Sequence, residues 1–258
     1  MTKNKTSATN RHQPYYYKNP NSDVGILMVH GIFASPIQFI DTADLLQKAG
    51  FSVKTILLPG HGSDVHCFSS ATIKQWENAV KSAIHELSKE HSKIILIGHS
   101  LGSLLVLNQS MNHKISGIVL LSPPIRTKVS LTSIKMSLQI LFVESSKDNE
   151  WLQTYRSIYS MDKCKPYQLV KCTQPMLNIL RLSKLVQRNL GEYKVPALII
   201  QSSLDETVRV SSMSILEKSL PNVMDTLILE KSRHCYIDSS ELQIYNDKIV
   251  NFINTVTK

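Results

Sequence analysis

Strand-like and helix-like patterns alternate along this chain. Short apolar runs bounded by glycine, proline or polar clusters occur at residues 25–29, 93–97, 117–121, 195–202 and 225–230, and their length and β-branched content mark them as strands. Between them lie segments with apolar residues at helical spacing. Ser35-Pro36-Ile37-Gln38 combines an N-cap serine, a first-turn proline and a capping-box glutamine ahead of an apolar run that ends at Gly50. Thr72-Ile73-Lys74-Gln75 repeats the device before Trp76, Val80, Ile84 and Leu87, which trace one helix face. Ser240-Glu241-Leu242-Gln243 predicts the start of a terminal helix in the same way. Alternation of this kind predicts an α/β fold with a mainly parallel central sheet and helices on both faces.

The alternation breaks once. After Ser122-Pro123-Pro124 the next strand pattern begins at Val195, and a gap of roughly 70 residues is too long for a simple crossover. It contains amphipathic stretches at 131–143, 151–159 and 174–190. The expected organisation is therefore a basic tail over 1–20, a core over 21–124 and 191–258, and a cap inserted over the active site at 125–190.

Lys93-Ile94-Ile95-Leu96-Ile97-Gly98-His99-Ser100-Leu101-Gly102 places a serine between two glycines, with a strand pattern before it and a helix pattern after it. A strand that reverses at once into a helix forces the turning residue into a strained conformation and needs glycine neighbours, which leaves the serine hydroxyl exposed at the sheet edge. A nucleophilic Ser100 requires a base, and on this turn the chain order is serine, acid, histidine. Only His113 and His234 follow Ser100. His113 ends the helix that the serine begins and is carried away from the edge, so His234 is the candidate base. Asp205 follows the 195–202 strand where the chain leaves the sheet and is the candidate acid. Glu206 is the alternative, and Asp225, at the opposite end of its strand, is a poor one. The Leu101 N–H supplies one oxyanion donor, and the loop His30-Gly31-Ile32-Phe33 supplies the second, assigned to Ile32 with Phe33 as alternative. His30 is expected to brace that loop.

These residues resemble the α/β-hydrolase superfamily, and within it the bacterial carboxylesterases and monoacylglycerol lipases. His30-Gly31 with Ser35-Pro36, Leu58-Pro59-Gly60-His61-Gly62, the Gly98 to Gly102 elbow, Gln201-Ser202 before Asp205, and Ser232-x-His234 look like that group's motifs in its order, from about Tyr15 to the C-terminus. Ala34 and Ser103 depart from it, since glycine is common at both places. The resemblance implies ester hydrolysis through an acyl-enzyme on Ser100, with a capped acyl pocket. An acyl-thioesterase would use the same groups, and an inactive hydrolase-fold binding protein is the third reading. No cofactor is expected.

Composition narrows the setting. The chain has 258 residues and a formal net charge of +9. Residues 125–190 hold eleven basic against four acidic side chains, and the first twenty residues hold four basic and none acidic. A basic tail and cap are suited to an anionic lipid surface or a phosphate-bearing acyl donor, although a solvated lysine-rich face is the simpler reading. Nucleic-acid binding is not expected, because no recognition motif accompanies the charge. Cys67, Cys164, Cys172 and Cys235 lack metal-site spacing, so no metal is expected and the four read as free thiols. No membrane span and no apolar signal core are present, and a cytoplasmic location is the expectation.

Overall fold

The computed structural model describes residues 12–111, 113–128 and 150–258. Strands β1 (Tyr16–Tyr17), β2 (Val24–Val29), β3 (Ser52–Ile56), β4 (Lys93–His99), β5 (Gly117–Leu121), β6 (Ala197–Ser202) and β7 (Val223–Leu229) form one sheet in the order β1-β3-β2-β4-β5-β6-β7. β1 pairs antiparallel to β3, and every other pairing is parallel. The helices are α1 (Ile40–Lys48), α2 (Val65–Ser69), α3 (Ile73–Ser88), α4 (Leu101–Gln109), α5 (Glu150–Ile158), α6 (Thr173–Arg188), α7 (Ser211–Ser219) and α8 (Leu242–Val256). The expected α/β architecture is present, with a long insertion between β5 and β6. The segments expected to be helical at 151–159 and 174–190 are α5 and α6, whereas 131–143 lies outside the described residues.

Each central strand feeds two cores. In β2, Leu27 and Val29 join α3, α4, α6 and α7, while Ile26 and Met28 join α1 and α8 on the other face. Continuous apolar runs are the sequence form of a sheet covered on both faces. β1 and β3 were not legible as strands, because Tyr16–Tyr17 has only two residues and Ser52–Ile56 carries Ser52, Lys54 and Thr55.

One of the three helix-start signals behaves as read. Thr72 and Gln75 form a reciprocal capping box on α3. At Ser35 the chain forms a 3-10 turn, Pro36–Phe39, without a side-chain cap; Gln38 instead accepts the Gly31 N–H at 3.2 Å. Near the C-terminus the capping side chain is Asp238, which accepts the Ser240 N–H, so Ser240 is not the cap. Glu241 accepts the Glu230, Lys231 and Ser232 N–H groups and the Ser232 hydroxyl. The two corrections differ in cause: Gln38 is drawn to the Gly31 N–H of the neighbouring loop, whereas the Ser240 hydroxyl donates to the Asp238 carboxylate two residues earlier.

Candidate active site

Ser100 sits between β4 and α4 with φ +51° and ψ −115°, a conformation L-residues rarely adopt. The flanking glycines allow it. A Cβ built on Gly98 would lie 2.4 Å from the Gly102 carbonyl, and one on Gly102 would lie 1.9 Å from the Val29 carbonyl oxygen. The elbow is therefore pressed against itself and against the end of β2. Ser103, where the resembled group commonly has glycine, locks this turn: its Oγ lies 2.6 Å from the Gly98 carbonyl and 2.9 Å from that of Leu121. The Ser100 N–H donates to Leu121 at 2.9 Å.

His234 and Asp205 are brought together. The carboxylate can only accept, so His234 Nδ1–H donates to Asp205 Oδ2 at 2.7 Å. Nε2 of the neutral ring is left as the acceptor. Asp205 is fully buried and also accepts the Thr207 and Val208 N–H groups at 2.8 and 2.7 Å and Gln201 Nε2 at 3.0 Å. Burial alone would raise its carboxyl pKa, but His234 and the backbone donors outweigh burial and hold the group at about 2. Burial pushes the His234 imidazolium down, yet Asp205 and Glu206 lift it above its ordinary value.

His99 joins this pair to the elbow. Its Nε2 donates to the His234 carbonyl at 2.7 Å, and the two rings are 4.7 Å apart. Burial and the neighbouring His234 lower its pKa to about 3, so it is a neutral brace. Ser100 Oγ makes no hydrogen bond among the described residues, and apo structures often hold a nucleophile and base loosely.

The other predicted residues separate clearly. The Leu101 N–H stands at the first position of α4, one of the donors a helix leaves unused, and neither it nor the Ile32 N–H donates among the described residues. Phe33 takes φ +59°, so the left-handed position in this loop is Phe33 and not Ala34. Gly31 allows close approach, since a Cβ there would lie 3.3 Å from Ser100 Cβ. His30 braces the loop: Nδ1 bonds the Gly31 carbonyl at 2.8 Å and Nε2 accepts the Leu58 N–H at 3.0 Å. Glu206 accepts from the Tyr155 hydroxyl and takes no part in the His234 Nδ1 contact. Asp225 is exposed and paired with Lys248 at 2.8 Å, and His113 lies beside Glu77 and Lys81, away from the elbow. Cys235 is held protonated by burial and by Glu206 and Asp205. Sequence reading missed Tyr155 and Ser160, whose hydroxyls have no motif around them, and it noted Ser103 without foreseeing that its hydroxyl would brace the elbow.

A serine elbow at the end of the fourth strand, an acid after the sixth and a histidine after the seventh define the α/β-hydrolase class. The chain belongs to the family described as "Serine aminopeptidase, S33", whose pattern matches residues 20–238. It is similar to the thermostable monoacylglycerol lipase of Bacillus sp. (strain H-257), 26% identical over 225 residues and 86% of each chain. Among solved structures it resembles one from the work on LipS and LipT, metagenome-derived lipolytic enzymes, at TM-score 0.74 and 20% identity, covering 95% of this chain and 98% of that one. The monoacylglycerol lipase of Paleococcus ferrophilus superposes at TM-score 0.71 and 18% identity, covering 94% and 98%.

Proposed function

We propose that this protein is a serine hydrolase that cleaves carboxylic esters, either monoacylglycerols or short to medium acyl esters, through an acyl-enzyme on Ser100. The observation that carries this reading is the strained Ser100 beside a histidine whose Nδ1 is committed to a buried carboxylate. Asp205 keeps His234 in the tautomer that presents Nε2, and His234 takes the Ser100 proton as Oγ attacks the ester carbonyl. The Ile32 and Leu101 N–H groups bind the oxyanion. His234 then protonates the departing alcohol, and water, activated by the same ring, releases the acid. The likeness to a named monoacylglycerol lipase over 86% of the chain supports the ester class.

The insertion over 125–190 acts as the cap. Tyr167, Val170, Met176, Leu177 and Leu180 are exposed apolar side chains on it, interleaved with exposed Lys163, Lys165, Lys171, Arg181 and Lys184. That mixture suits an anionic lipid surface, and it equally favours a phosphate-bearing acyl-thioester as a second substrate class. Free thiols at all four cysteines support a reducing, cytoplasmic setting; no helix among the described residues is long and apolar enough to cross a membrane.

The test is turnover on nitrophenyl esters of graded length, monoacylglycerols, acyl-thioesters and aminoacyl nitroanilides, with fluorophosphonate labelling. Esters are expected to be preferred and Ser100 labelled, with both signals lost in Ser100→Ala while the fold persists. Labelling at another residue, or preference for the anilides, overturns the reading.

A further inference from the structure

The insertion helix α5 touches both halves of the machinery. On the base side, Tyr155 is buried, and its hydroxyl donates to Glu206 Oε1 while accepting the Cys235 N–H at 3.0 Å. Cys235 directly follows His234, and Glu206 directly follows Asp205. The same helix sets Trp151 against the Arg233 guanidinium, 4.6 Å from the ring centroid, and Glu150 accepts the Tyr236 hydroxyl at 3.2 Å. Residues on both sides of His234 are therefore tied to one helix.

On the oxyanion side, the Ile158 carbonyl accepts from Ser35 Oγ at 3.4 Å. Ser160, just past the helix, gives its N–H to the Phe33 carbonyl at 2.8 Å and its hydroxyl to the Ala34 carbonyl at 2.7 Å. A non-glycine residue at positive φ, as Phe33 is, persists only where its surroundings over-determine it. The oxyanion loop follows β2 and the acid follows β6, three positions apart in the sheet. At about 4.8 Å per strand that distance is roughly 14 Å, which a nine-residue helix spans at about 1.5 Å per residue.

We propose that Tyr155 and Ser160 are positioning residues, through which α5 sets the acid–base pair and the oxyanion loop against Ser100 at the same time. This rests on the serine-hydrolase reading above. Neither hydroxyl needs to touch substrate. A shift of the base by an ångström relative to the donors costs on the order of 100-fold in rate, so a rigid tie between two separate loops acts on the chemical step rather than on binding.

The test uses the full chain with a short soluble nitrophenyl ester and, separately, the rate of fluorophosphonate labelling at Ser100. Tyr155→Phe is expected to lower kcat by about 10- to 100-fold with KM within about threefold, and to slow labelling in step. Ser160→Ala should act in the same direction from the other end of the helix, which keeps the idea testable if Tyr155→Phe fails to fold. Glu206→Gln keeps an acceptor for Tyr155 and should lose much less than Glu206→Leu. Unchanged kcat in both Tyr155→Phe and Ser160→Ala, a raised KM with kcat intact, or equal damage from Gln and Leu at Glu206 overturns the positioning role. Failure of wild type to label at Ser100 would instead overturn the serine-hydrolase reading itself.

Discussion

Asp205 acts on His234 in two ways, by direction and by charge. Its Oδ2 fixes the proton on Nδ1, and its negative charge helps raise the imidazolium pKa above its ordinary value. Asp205→Asn removes the charge and favours the wrong tautomer, so kcat should fall by on the order of 10⁴, whereas Glu206→Gln should do little by comparison. The pH profile carries the sign. A base works only when deprotonated, so activity should fall on the acid side through a limb lying above about 6.5. In Asp205→Asn the residual activity should show that limb moved to lower pH, because burial then acts without the compensating charge. A limb that stays in place would assign it to another group.

Among the elements, the elbow is the most tightly specified. Gly98 and Gly102 face each other, and α4 presses on the end of β2, so the space for a side chain is filled by backbone that cannot move without shifting a core strand. Gly102→Ala should destabilise the fold by at least the roughly 1–3 kcal/mol typical of overpacking and abolish labelling. Gly191→Ala, where nothing lies within 4 Å of the added Cβ, should be tolerated, and paired thermal melts of the two variants check the contrast. Motif spacing made this element readable from the chain because the whole device is local. The capping signals at Ser35 and Ser240 misled because a serine hydroxyl takes whichever partner lies within reach: Ser35 donates to the distant Ile158 carbonyl and Ser240 to the Asp238 carboxylate beside it.

For the whole molecule, three buried histidines set the response to acid. His30, His61 and His99 all have pKa values lowered first by burial, to about 4 for His61 and about 3 for His99. The unfolded chain binds protons at these sites from about pH 6.5 downward while the folded chain does not, so stability is expected to fall as pH drops below about 6.5. The raised His234 acts in the opposite sense at higher pH, adding stability as pH falls toward about 6.5. Denaturant midpoints between pH 8 and 5 provide the measurement, and a flat profile would contradict it. The basic, partly apolar insertion makes a second prediction at this scale: added salt should weaken action on anionic vesicles while leaving soluble neutral esters nearly unaffected.

The sequence alone determined the α/β class, the order of the central strands along the chain, the elbow around Ser100 and the candidacy of Asp205 and His234. The class and the elbow rest on local periodicity and a compact motif, and the two candidates rest on the serine–acid–histidine order along the chain together with the strand ends they follow. Tertiary structure decided that Asp205 rather than Glu206 meets His234 Nδ1, that Ser103 and Gln38 brace the elbow and the loop after β2, and that Tyr155 and Ser160 tie an inserted helix to the His234 loop and to the loop after β2. Those pairings span from 5 to 126 positions along the chain. A hydroxyl or amide carries no periodic signal of its partner, and its choice follows from which buried backbone groups the packed sheet and helices leave unsatisfied.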